Sequence, residues 1–290
     1  MGHAIACPPT HSTTNFGCHD SPANDYYRAM PSRTIVCLGL ILACAALGSL
    51  RAEELVGYVL TAPQGTWSAT PGGSKLVPGA PVYAGNHIDC RGCNATDLLT
   101  LAMLDGSPRP VTTGYIVPSL HDAAKPEIVR LIMAIGKSLS QEKRVLVFGI
   151  SRGSLDVAPA VLKLTGRRVD VAPSMGRLAA AEYQLEFTPI EGGQALEARC
   201  NFDPPSHTSA TAALSPGAYT LRVASASGAP IGNSTVLAAP AAEFDARAEE
   251  FRKGVELTAS WPAGIDPQAR STFLSALLVE MASSPVLGPR

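Results

Sequence analysis

Val56-Gly57-Tyr58-Val59-Leu60, Gly65-Thr66-Trp67, Leu76-Val77-Pro78-Gly79-Ala80-Pro81-Val82-Tyr83-Ala84-Gly85-Asn86-His87-Ile88 and Leu98-Leu99-Thr100-Leu101-Ala102-Met103-Leu104 form the stretch that decides the fold. Each run is of strand length. Turn signals separate them, Pro71-Gly72-Gly73 inside the stretch and Asp105-Gly106 at its end. Apolar runs broken by Gly, Pro or Asp-Gly every 8–12 residues or so predict a β-sandwich or barrel.

Composition agrees with that reading. The 290 residues include 26 Gly and 24 Pro, too many breakers for a long helical bundle. Charged residues make up 16 % and the formal net charge is -1. A polybasic nucleic-acid binder is therefore excluded, because nothing would neutralise a phosphate backbone in bulk.

The series Gly57…Gly65…Leu76-x-x-Gly79…Val82…Gly85…Ile88…Leu101…Asp105-Gly106 resembles the FecR-like periplasmic domain, over residues 55–110 only. Asn86 stands where that family usually has Asp, and Cys90-Arg91-Gly92-Cys93 is an insertion. The resemblance implies a periplasmic, signal-related interaction, with a cytoplasmic partner reached through a membrane span. On the residues themselves, the glycines serve turns between strands.

Further along, Ile128, Leu131, Ile132, Ile135 and Leu139 fall on one face of a helix over 125–140, with Pro126 in its first turn. Arg144-Val145-Leu146-Val147-Phe148 reads as a strand. Ala160–Leu164 and Arg168–Val171 flank Thr165-Gly166-Arg167 as a hairpin. Tyr183–Phe187 and Tyr219–Val223 alternate with period two, the second introduced by Pro216-Gly217. This pattern resembles strands of Ig-like and carboxypeptidase-regulatory-like modules, which implies a fold class and nothing more. Two helices close the chain. Phe244, Ala248, Phe251 and Val255 share a face of the first; Asp266-Pro267 opens the second, with Phe273, Leu274, Leu277, Leu278 and Met281 on one face. The expected fold is mainly β, with sandwich- or barrel-like domains, one connecting helix and a C-terminal helical hairpin. The expected division is 1–29 upstream segment, either disordered or ahead of the true start, 30–52 signal, 53–117 FecR-like domain, 118–141 connecting helix, 142–240 sandwich-like region and 241–290 hairpin.

Met30-Pro31-Ser32-Arg33, the apolar run Thr34–Leu47 and the small residues before Glu53-Glu54 have the order of a secretory signal. Translation from Met30 and cleavage after Ala52 are expected, giving a periplasmic or secreted chain. Two alternatives attach the chain to the membrane: an uncleaved signal anchor, or a lipid on Cys44 in the lipobox-like Ile41-Leu42-Ala43-Cys44. His3, Cys7, His11, Cys18 and His19 match no zinc spacing.

Two motifs carry candidate chemistry. Gly149-Ile150-Ser151-Arg152-Gly153 is a G-x-S-x-G after an apolar strand, as in a nucleophile elbow. A hydrolase would use Ser151 with His207 as base and Asp170 or Asp203 as acid. The elbow needs a helix directly after the serine, and Val157, Pro159 and Val161 argue instead for turn and strand. Cys90-Arg91-Gly92-Cys93 is a C-x-x-C outside the cytoplasm, where a disulfide is permitted. A Cys90–Cys93 disulfide with Cys200 unpaired is expected. The alternatives are free thiols, or a zinc site built from His87, Cys90, Cys93 and Cys200. His121 reads as a solvated residue ahead of a helix, and the sequons at Asn94 and Asn233 carry little weight in a bacterial export context. The functional expectation is an exported, non-enzymatic cell-envelope binding or sensing protein, without cofactor or nucleic acid, its partner an envelope protein or glycan. The rivals are a secreted serine hydrolase and a zinc-stabilised structural protein.

Overall fold

The computed structural model describes residues 53–120, 124–140, 157–203 and 209–284. The first β unit contains β1 (Leu55–Thr61), β2 (Thr66–Thr70), β3 (Ser74–Lys75), β4 (Pro81–Tyr83), β5 (His87–Arg91), β6 (Leu99–Met103), β7 (Pro108–Val111) and β8 (Tyr115–Ile116). They form two four-stranded sheets, ordered β4-β1-β6-β7 and β3-β2-β5-β8. Val56, Val59, Trp67, Leu76, Ile88, Leu101 and Met103 fill the space between them. Asn86 holds the entry to β5 by accepting the Tyr83 amide on Oδ1 at 3.0 Å.

β1 and β6 are covered on both faces, so neither shows clean alternation. Their second face, through Leu60 and Ala102, packs on α1 (Pro126–Ser140). Ile132, Ile135 and Leu139 are the buried residues of the helical face that the sequence predicts.

The second β unit contains β9 (Ala160–Thr165), β10 (Arg168–Asp170), the short α2 (Ala172–Met175), β11 (Ala181–Pro189), β12 (Leu196–Phe202), β13 (Ser209–Thr211), β14 (Gly217–Ser225) and β15 (Pro230–Pro240). They make one seven-stranded sheet, ordered β12-β11-β14-β15-β9-β10-β13. Its edge strands β12 and β13 adjoin, so the sheet curls into a nearly closed barrel. The first unit is thus a sandwich, one of the two closures expected there, whereas the second, expected to be sandwich-like, is a single sheet curled on itself. The β9–β10 hairpin pairs Thr165 with Arg168 and Leu164 with Val169, as the turn residues predict.

Every second residue fills the barrel: Leu162, Leu185, Phe187, Tyr219, Leu221, Val223 and Val236 are at most 5 % exposed. Tyr183 and Tyr219 each donate a hydroxyl hydrogen bond at 2.8 Å to the carbonyl four residues upstream, of Ala179 and Ser215. Burial without these acceptors would cost each phenol its solvation.

β15 lies parallel to β9. The outward residues of this pair, Val161, Leu237 and Ala239, meet a helical layer of α1, α3 (Ala241–Ala259) and α4 (Pro267–Ser283). α4 is buried nearly all round, as a helix between layers should be. The Asp266 carboxylate accepts the Gln268 amide at 2.9 Å and Pro267 takes the first turn, the cap predicted from sequence. On α3, Phe244 and Phe251 of the expected face pack half-buried against the apolar cluster of this layer, and Val255 departs from it. Val255 is 39 % exposed, and the buried positions are Arg247, Gly254 and Thr258. Leu277 of α4 occupies the space a side chain at position 254 would need. The approach of α4 is therefore closest at Gly254, beside the apolar stripe. Among the described residues no helix is long and apolar enough to cross a membrane.

Candidate functional site

The C-x-x-C segment lies where β5 ends. Antiparallel pairing of β2 with β5 sets Trp67 directly opposite Cys90 and Thr66 opposite Arg91. Both sulfurs consequently face the edge of the sandwich core, and both cysteines are half-buried. Cys90 and Cys93 form a close pair, 5.9 Å between Cα atoms, within the range a disulfide spans. The Cys90 amide donates to the Thr113 hydroxyl at 3.0 Å. The backbone of Gly65, at φ 117°, lies against both sulfurs.

His87 belongs to the opposite face of β5. Its Nδ1 is 2.8 Å from Asp89 Oδ2, two residues along the same strand and on the same side. Cys200 lies elsewhere again, on β12, inside the barrel and 4 % exposed. The structure therefore does not bring the four candidate zinc ligands together. Among the described residues, no group of three or more His, Cys, Asp or Glu side chains is arranged to hold a metal. Burial pushes the Cys200 thiol up to about 11, so it stays protonated and inert at neutral pH.

Of the hydrolase candidates, Ser151 and His207 lie outside the described residues. Asp170 ends β10, and its Oδ1 accepts the amide of Ala172 at 3.1 Å, at the entry to α2. That contact gives it a structural role at a turn. The expected strand over 144–148 and His121 also lie outside the described residues.

A concavity on the described surface was not singled out by sequence motifs. It is a shallow depression of about 480 Å³ on the outer face of β11, β12 and β14. Glu186, Glu197, Arg199, Arg222 and Gln184 line it. Strand register puts Arg222, Glu186 and Glu197 in one row across three strands, with Gln184 and Arg199 in the next. The Arg222 guanidinium is 3.6 Å from the Glu186 carboxylate, and both side chains are at least 40 % exposed. Glu197 directly opposes Glu186 on the other side, a like-charge pairing that costs stability. The signal was available in the alternation Tyr183-Gln184-Leu185-Glu186-Phe187, whose outward positions are polar. The charged residues of the neighbouring strands join it only once the register is known.

Comparison with protein-family models, with curated proteins and with solved structures finds no match to this chain.

Proposed function

We propose that the chain is an exported, non-enzymatic cell-envelope binding or sensing protein whose contact surface is the outer face of β11, β12 and β14. The depression between Gln184, Glu197, Arg199 and Arg222 carries this reading. The barrel interior supports it, because Phe187, Tyr219, Leu221 and their neighbours fill the lumen and leave recognition to the outside. The partner that fits is a segment of an envelope protein bearing both charge signs. Both signs are present on the face, and no aromatic ring lines it as a stacking platform. Export rests on the signal-like order of residues 30–52.

The test places a photo-crosslinking residue at Gln184 in the full exported chain, and at Met133 on α1 as a control. A discrete protein adduct from position 184 alone, lost in Arg199→Glu/Arg222→Glu and weakened by salt, is expected. No adduct at 184, or equal adducts at both positions, rejects the surface. Ester hydrolysis abolished by Ser151→Ala would replace the reading with the hydrolase.

A further inference from the structure

We infer that Cys90 and Cys93 form a reversible thiol–disulfide exchange site, whose substrate is a dithiol reductant or its disulfide, and not a permanent staple. The site lies on a different sheet from the barrel face, and the inference is independent of what that face binds. Four observations carry the inference. Both cysteines are half-buried at the end of a strand, so an attacking sulfur has access that a core disulfide would deny. The ladder from Thr66–Arg91 to Thr70–His87 is complete without the bridge. Only two residues separate the cysteines, so the bond removes little chain entropy and the fold does not depend on it.

The fourth is that the dithiol state already has its acceptors. Cys93 Sγ is 3.4 Å from the Gln64 carbonyl oxygen, and Cys90 Sγ is 3.8 Å from that of Arg91. Reduction would leave an S–H near each of these carbonyls, to which it could donate weakly. In the oxidised form those protons are gone and the S–S bond takes over. Each state thus satisfies itself locally, which is the condition for a pair that cycles.

The exchange runs in two displacements. A thiolate of the reductant attacks one sulfur, the S–S bond breaks, and a mixed disulfide forms. The released cysteine sulfur leaves as a thiolate and takes a proton from water. The reductant's second thiol, as its thiolate, then attacks the reductant sulfur of the mixed disulfide; that S–S bond breaks, and the second cysteine leaves as a thiolate and takes up a proton. Two electrons have passed to the chain, which holds two thiols, and the reductant leaves as a disulfide. What changes in the protein is the link that closes the turn from Cys90 to Cys93, which packs beside Gln64–Gly65.

Gly65 sets the balance. A Cβ there would overlap Cys93 Sγ and come within 2.9 Å of Cys90 Sγ. A bonded pair must yield as one body, whereas two thiols rotate away independently.

The full exported chain is equilibrated in graded mixtures of dithiothreitol and its oxidised form, and alkylation at Cys90 and Cys93 is read peptide by peptide by mass. Both sites should open together and close again on reoxidation. Circular dichroism should stay constant, and hydrogen exchange should rise only around 64–66 and 90–95. Gly65→Ala should reach half-reduction at a dithiol ratio at least threefold lower. A pair that stays reduced in every mixture overturns the inference. So does reduction only with loss of protection across β2 and β5, or a Gly65→Ala variant shifted the other way or not at all.

Discussion

The indole Nε1 of Trp261 donates a hydrogen bond to the carbonyl of Gly106, 3.1 Å away and 155 residues earlier in the chain. Gly106 is the tip of the Asp-Gly turn between β6 and β7, and Trp261 stands in the break between α3 and α4. The same ring meets Phe273 edge-on at 5.2 Å. One side chain thereby ties the sandwich to the helical layer that also lines the barrel. Trp261→Phe should keep most of the ring packing but orphan a buried carbonyl, a loss of about 1–2 kcal/mol. Trp261→Ala removes the packing too and should cost about 3–5 kcal/mol. Urea denaturation of both variants checks this; equal losses would mean that the hydrogen bond is not the distinguishing contact.

Tyr183 and Tyr219 close their strands to the preceding loops in the same way, each hydroxyl reaching the carbonyl four residues back. Their rings also pack edge-on against Phe202 and Phe187, at 6.3 and 6.4 Å. Tyr→Phe at either position leaves the ring contacts and should cost about 1 kcal/mol. The two positions make separate hydrogen bonds, so the double variant should lose the sum. Chemical denaturation of the two single variants and the double reads the additivity.

How much of this was legible in the sequence depends on how many faces an element buries. β11 and β14 bury one face, and their period-two pattern predicted them directly. α1 has one apolar stripe and one buried side. α4 also followed from its Asp-Pro cap, although its burial on nearly every side did not. α3 misled at Val255, because Leu277 packs into the notch left by Gly254 and no hydrophobicity pattern registers a notch. The candidate site divides along the same line. Cys90 and Cys93 are neighbours in sequence and could be named from it. The charged row of Arg222, Glu186 and Glu197 comes from three strands, and only their register assembles it.

Gly79 illustrates a glycine required by a neighbour and not by the turn alone. It sits at φ 85°, its amide donating to the Val59 carbonyl at 2.8 Å. A Cβ would overlap Ser140 N and lie 2.6 Å from the carbonyl carbon of Leu139, backbone atoms at the end of α1 that cannot rotate away. Gly85 has a similar φ of 81° but open space around it. Gly85→Ala should therefore show backbone strain alone, about 1–2 kcal/mol. Gly79→Ala should exceed it by roughly 2 kcal/mol, the cost of forcing the end of α1 off the turn before β4. Thermal melts of the two variants side by side isolate the helix contact; equal losses would rule that contact out.

The last prediction follows from Cys200. Its thiol lies in the barrel among apolar side chains, and burial pushes its pKa from 9.0 to about 11. In the unfolded chain the thiol ionises near its ordinary value. A raised acid pKa means that the folded state holds the proton longer. Its contribution to stability is therefore complete below about pH 9 and is lost as pH climbs toward 11. The Tyr219 hydroxyl is also raised by burial and adds to the alkaline loss. The informative quantity is thus a difference between variants. Cys200→Ala is less stable than the parent at pH 8 because it leaves a small cavity. It should lose less on going to pH 11, so the two curves converge. Urea midpoints at both pH values give the answer, and parallel curves would show that Cys200 ionises alike in both states. Native alkylation gives a second reading. Below pH 9 Cys200 should react only as fast as the barrel opens, and rapid labelling of the folded chain at pH 8 would contradict its burial.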